Sequence, residues 1–209
     1  MTPLRVSILV FPDVEVLDFA GPFEVFSVAR LDESRRRERP SPFDTRLVAA
    51  KPGPVKAVGG LQVVADHGLE DGPPPEVLVV PGGTGARAAM EDGRLVSWIS
   101  RTAASARVVA SVCTGALLLG RAGLLEGRRA TTHWTALDDM AELFPGVRVV
   151  KNCRVVDEGA VVTSAGIAAG IDMALTLVAR FHGAGVAESA ARYMEYPCPA
   201  HLRQRGEPD

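Results

Sequence analysis

The stretch Ala110-Ser111-Val112-Cys113-Thr114-Gly115-Ala116 places a thiol between a short β-branched run and a small-residue segment able to start a helix. A nucleophile on such a sharp strand-to-helix turn needs a small residue soon after it. The helix can then approach the strand while the reactive side chain stands above the sheet. Gly115 supplies that residue, whereas Ser111 stands where the G-x-nucleophile-x-G pattern has its first glycine. A thiol at a helix N-terminus faces unpaired N–H groups and the positive end of the helix dipole, which predicts a thiolate and nucleophilic chemistry. The competing reading is a buried cysteine that packs as a small hydrophobe.

Three further groups could serve this thiol. Asp18, in Leu17-Asp18-Phe19-Ala20-Gly21-Pro22, falls in the connection leaving the first strand, where ligand-facing groups of an open α/β sheet tend to lie; it could equally cap the helix expected to begin near Pro22. Gly82 and Gly83 follow the strand Val77 to Val80, and a backbone N–H at that turn could point into the same site as an anion-stabilising donor. His133 could approach Cys113 if its segment neighbours the elbow strand, or could be a hydrogen-bonded structural residue. The loop Pro81 to Ala88 does not read as a dinucleotide site: no Asp or Glu lies between Asp92 and Glu126 to hold a ribose, and no Lys-Ser/Thr pair completes a phosphate loop. Cys153, read as a sheet residue, Cys198, and the four histidines show no metal-ligand spacing, so no metal is expected.

The elements that must position these groups alternate. Arg5 to Phe11 reads as a buried strand, Pro22 to about Arg30 as a helix, Thr45 to Ala50 as a strand, and the segment around Gly59-Gly60 as a pair of short strands. Strand Val77 to Val80, a helix from about Leu95 to Ala104, strand Val108 to Val112 and a helix from Gly115 follow. A helix over Ala136 to Leu143, strands at Val147 to Lys151, Val155-Val156 and Val161 to Thr163, and helices over about Ala168 to Phe181 and Val186 to Met194 complete the order. This alternation predicts an α/β sandwich with a mostly parallel sheet. Residues 1–198 are expected to form a single domain and 199–209 a polar C-terminal tail.

The chain of 209 residues carries 23 basic and 25 acidic side chains, a net charge of −2 that offers no field to a polyanion, so nucleic acid is excluded as a partner. Arg35-Arg36-Arg37 with Arg39, interrupted by Glu38, reads as a solvated loop. No membrane or export segment is expected: Val6 to Phe11 is too short, and the apolar stretch Val161 to Phe181 contains Ser164, Asp172 and Arg180. Three cysteines without a CxxC pair fit a cytoplasmic protein with free thiols. Trp134 and Phe19 are equally candidates for apolar walls of a site and for the core.

In order along the chain, Leu17 to Pro22, Val80-Pro81-Gly82-Gly83, Ser111 to Gly115, Thr131-Thr132-His133-Trp134 and Thr163-Ser164-Ala165-Gly166 resemble the ThiJ/PfpI superfamily of class I glutamine-amidotransferase-like proteins. The resemblance implies a flavodoxin-like three-layer sandwich and a homodimer, with Cys113 as nucleophile, Asp18 as acid/base and Thr114 as an assisting hydroxyl. Peptidase members place His directly after the cysteine, where this chain has Thr114, which argues against a Cys-His peptidase mechanism. Aspartate in Leu-Asp-x-x-Gly-Pro, where many members have glutamate, resembles the branch that hydrates isonitriles. That branch implies addition of water to a small uncharged isonitrile through a cysteine thioimidate, without a cofactor. A glyoxalase- or deglycase-like enzyme acting on a reactive carbonyl, a thiol sensor, and the ligand-binding domain of a regulator remain open. For the last, the 13 residues after Tyr196 are too few to form a helix-turn-helix module.

Overall fold

The computed structural model describes residues 2–199 and 202. Seven strands form the central sheet in the order β10-β11-β7-β6-β1-β2-β5. At its centre lie β1 (Leu4–Leu9), β6 (Val77–Val80) and β7 (Val108–Val112). The last two are buried along their whole length, which is why neither shows an apolar/polar alternation. β2 (Phe43–Ala49) and β5 (His67–Gly68) extend one side in parallel pairing. On the other side β11 (Val161–Ser164) pairs parallel with β7, and β10 (Val155–Asp157) closes the edge antiparallel. The mostly parallel sheet expected from sequence is therefore present.

Helices cover both faces. α1 (Val16–Val28), α6 (Ala169–His182) and α7 (Ala184–Tyr193) pack together on one, while α2 (Ala86–Glu91), α3 (Gly93–Ala103) and α4 (Gly115–Arg121) pack together on the other. The hairpin of β3 (Gly53–Lys56) and β4 (Gln62–Ala65) turns at Gly59 and Gly60, whose φ values of 75° and 87° suit glycine. The short pair β8 (Arg129–Ala130) and β9 (Arg148–Val149) flanks α5 (Leu137–Leu143). Among the described residues no helix is long and apolar enough to cross a membrane.

Several expectations need correction. The first helix begins at Val16, not near Pro22, so Asp18 lies in its first turn and Pro22 lies inside it. A proline there removes the donor that Asp18 C=O would otherwise receive, and burial of Pro22 in the core offsets that loss. α2 is a short helix that overlaps the expected loop Pro81 to Ala88, where the Gly-rich approach carries no helix-start signal. Cys153 sits in the loop before β10, donating to Val155 C=O at 2.9 Å, and is not a sheet residue. The arginine run is only partly a solvated loop: the Arg36 guanidinium lies 3.6 Å from the centre of the Tyr193 ring and donates to Val28 C=O. Phe19 is core, whereas Trp134 is 76% exposed. The expected tail, apart from Pro199 and Leu202, lies outside the described residues.

The sheet is joined to α4 by a close approach that only glycine permits. A Cβ on Gly115 would stand 2.0 Å from Val80 O and 2.7 Å from Pro81 O, both backbone atoms that cannot rotate away. Gly115→Ala is therefore expected to destabilise the fold by about 3 kcal/mol, lowering the melting temperature by roughly 6–12 °C. Thermal unfolding followed by circular dichroism checks this; an unchanged melting temperature contradicts the packing argument.

Candidate active site

Cys113 follows directly after β7 and adopts φ 58°, a left-handed conformation that a side chain occupies only when its surroundings enforce it. Both of its backbone groups are held: its N–H donates to Ser164 C=O (3.2 Å) and Ala165 C=O (3.1 Å), and its C=O accepts from Thr132 Oγ1 (2.8 Å). The strand-turn-helix reading of the elbow is thus met in geometry. Ile167, on the segment leading into α6, is a second strained residue at φ 52°. Its backbone N–H, that of Thr114 and the Thr114 hydroxyl lie near the Cys113 sulfur and draw its pKa down.

Asp18 is fully buried. Its Oδ2 accepts from Gly82 N–H at 2.9 Å, while Oδ1 has no partner of normal hydrogen-bond geometry although the Cys113 thiol interacts with the carboxyl. It caps nothing: the residue preceding α1 is Glu15. Gly83 N–H donates to Thr114 Oγ1 at 3.0 Å, and that hydroxyl also donates to Gly83 C=O at 3.3 Å. The two glycine N–H groups expected to meet a substrate anion therefore hold the protein's own carboxyl and hydroxyl. Neither glycine can be enlarged, since a Cβ on Gly82 would lie 2.5 Å from Thr114 N and one on Gly83 would lie 2.4 Å from Glu15 N.

His133 stands beside the elbow without bonding to it. Its Nδ1 meets Thr135 Oγ1 at 2.7 Å and accepts weakly from Thr135 N–H at 3.4 Å, capping the turn Trp134–Ala136. The ring packs on Gly166, where a Cβ would lie 2.1 Å from Cδ2. Ile167 was missed in the sequence because a donating backbone N–H leaves no mark on residue type.

Burial sets the proton positions. It pushes the Asp18 carboxyl up to about 7, with the nearby Glu15 charge adding to the rise and the Gly82 N–H opposing it. The Cys113 thiol rises to about 12, first through burial and then through the neighbouring Asp18 charge, against the pull of the Thr114 and Ile167 donors. The resting site therefore favours the thiol over the thiolate expected from a helix terminus: burial and the Asp18 charge outweigh the nearby donors. Near neutral pH the thiol keeps its proton while Asp18 passes from its protonated to its ionised form, so the pair loses its first proton from the carboxyl.

A DJ-1/PfpI family model matches residues 4–180. The chain belongs to the DJ-1/PfpI family. Within the family, it is 41% identical over 206 residues to an isonitrile hydratase from Pseudomonas putida, covering 99% of this chain and 84% of that enzyme. It is also 33% identical over 175 residues to the HTH-type transcriptional regulator CdhR from Pseudomonas aeruginosa, covering 84% of this chain and 50% of the regulator. A THiJ/PfpI family protein from Pseudomonas syringae superposes with a TM-score of 0.82 at 32% identity, over 96% of this chain and 78% of that one. These likenesses establish the flavodoxin-like sandwich and support an enzyme of this family.

The raised Asp18 value has a consequence for stability. An unfolded chain loses this proton near pH 4, whereas the folded one keeps it to about 7, so folding is favoured by the retained proton at low pH and weakens as pH rises between those values. Asp18→Asn keeps an acceptor for Gly82 N–H and removes the buried charge. It is expected to melt above the wild type at pH 8, by up to about 4 kcal/mol in stability, with the difference shrinking toward pH 4. Parallel thermal melts across that range test the sign; a larger gain at pH 4 than at pH 8 contradicts it.

Proposed function

We propose that this DJ-1/PfpI protein hydrates an isonitrile to an N-substituted formamide, with Cys113 as nucleophile. The observation that carries the reading is the buried Cys113–Asp18 pair at a strained elbow, a protonated thiol beside a carboxyl that ionises near neutral pH. The identity of 41% to an isonitrile hydratase over nearly the whole chain supports it.

The terminal carbon of R–N≡C is electrophilic toward a soft sulfur nucleophile but must gain a proton once attacked. As the C–S bond forms, ionised Asp18 takes the thiol proton and delivers it to the same carbon, giving the thioimidate R–N=CH–S–Cys113. Sulfur never has to exist as a free thiolate in its buried site, which reconciles attack with a thiol held up at about 12. Water then adds to that carbon, one of its protons passing through Asp18 to nitrogen. The remaining O–H proton returns to sulfur as the C–S bond breaks, releasing R–NH–CHO. The Thr114 hydroxyl, held by Gly83, lies beside the sulfur, and Gly82 orients the carboxyl. His133, engaged by Thr135, has a supporting place beside the substrate instead of a step in proton transfer. The substrate is small, organic and uncharged, and the family resemblance leads to a homodimer as the working assembly.

The same pair could act on a reactive carbonyl, so the discriminating assay compares alkyl and aryl isonitriles with methylglyoxal. Formamide is expected from the isonitriles; its absence across the panel, with methylglyoxal consumed, would falsify the hydratase reading. A thiol-sensor role is disfavoured by the raised thiol, since oxidation proceeds from the thiolate. Cys113→Ala and Asp18→Asn should each lower kcat by at least about 1000-fold. In the wild type kcat/KM should rise as pH passes through about 7, because ionised Asp18 is the form that accepts the thiol proton. A profile flat from pH 5 to 9 would remove Asp18 from the proton path.

A further inference from the structure

A cavity of about 440 Å³ lies at the carboxyl ends of β1 and β2, on the face covered by α2 and α3. It belongs to neither Cys113 nor Asp18: its walls include Val10, Phe11, Pro12, Val55, Ala89 and Leu95. Its position follows from topology. β1 pairs with β2 on one side and with β6 on the other, so the strand order reverses between β1 and β6, and the cavity lies beside that point with Pro12 after β1 and Gly85 after β6 in its wall. In open α/β sheets the crevice outside the strand ends at such a point is where ligands bind.

Two charged residues line this apolar space, Lys51 and Asp92, and they are not equivalent. Asp92 Oδ1 accepts from Arg94 N–H at 2.9 Å and Leu95 N–H at 3.2 Å, so its charge is already matched by the N-terminus of α3. Among the described residues, Lys51 has no ion-pair partner. The volume falls within the roughly 300–1,000 Å³ of small-molecule pockets, which are mostly apolar with a few polar groups that fix orientation.

We propose that this cavity is a second binding site, separate from the Cys113 site, for a carboxylic acid with a short apolar tail. The tail lies among Val10, Phe11, Val55 and Leu95, and the carboxylate meets Lys51 at the rim. One wall is the back of the loop that leads into α1: Gly85 packs against Pro12, its N–H donates to Asp13 C=O at 3.1 Å, and Glu15 N–H donates to Gly82 C=O at 2.9 Å. The ligand therefore touches the connection whose far end carries Asp18, without entering the reactive site.

Octanoate, titrated into the isotopically labelled full chain, tests the assignment by amide chemical shifts. Saturable shifts are expected at Ala49 to Lys51 and at Ala88 and Ala89. Octylamine, with the same tail and the opposite charge, is expected not to shift them. Lys51→Gln should weaken octanoate by about tenfold. Ala88→Trp, a substitution from an exposed position of α2 that fills the cavity, should abolish binding without lowering the melting temperature. Absence of shifts at about 5 mM octanoate overturns the proposal. So does equal binding of octylamine, or octanoate binding that both variants leave unchanged. Because the readout is binding and not turnover, the result is independent of which substrate Cys113 acts on.

Discussion

Gly82 is the residue on which the site depends. Its N–H holds Asp18 Oδ2, and its missing side chain lets Thr114 and Gly115 come so close that a Cβ would lie 2.4 Å from Thr114 Oγ1 and 2.9 Å from Gly115 N. One backbone position therefore joins the helix carrying the carboxyl to the turn carrying the thiol. β6 ends where it does because this contact demands it: Val80 is followed by Pro81, which cannot donate to a ladder, and then by two glycines. Gly115 extends the same interlock by packing on Val80 and Pro81 carbonyls, fixing the angle at which α4 leaves the sheet.

The interlock excludes water from two ionisable groups, and this governs their chemistry. A thiol at a helix start in solvent would ionise more readily; here burial and the Asp18 charge push it up to about 12. The carboxyl, raised to about 7, becomes a base matched to neutral pH. Strain is stored at the same place. Cys113 and Ile167 both hold positive φ, and Ile167 is β-branched, a conformation such residues adopt only under constraint from their surroundings. Stability is thereby spent where a reaction would need pre-organised groups.

Much of the fold was legible because the signals are local. β6 and β7 are short valine-rich runs bounded by Pro-Gly or by a small-residue turn, and both are central strands. The final two helices fell within about two residues of their expected ends, since apolar periodicity survives in Ala169–His182 and Ala184–Tyr193. The start of α1 was misplaced because a proline inside a helix is normally a boundary, and only burial of Pro22 against α6 explains its tolerance. Trp134 could not be assigned from its type: it remains exposed beside His133, because the turn it belongs to is fixed by the His133 cap and not by burial of the indole.

By itself the sequence determined the candidates: a cysteine followed by Thr114 and Gly115 at a strand end, an aspartate after the first strand, and a Gly82-Gly83 turn after a third. Residue types and their order suffice for that, because a nucleophile elbow is a local backbone requirement. Tertiary structure decided what those residues do to one another. It turned two expected substrate donors into holders of Asp18 and Thr114, supplied the Ile167 N–H, and reversed the direction of the thiol's shift. The reason is that desolvation and through-space charge depend on which atoms surround a group, and neighbours 64 and 31 residues apart in the chain are brought together only by the sheet.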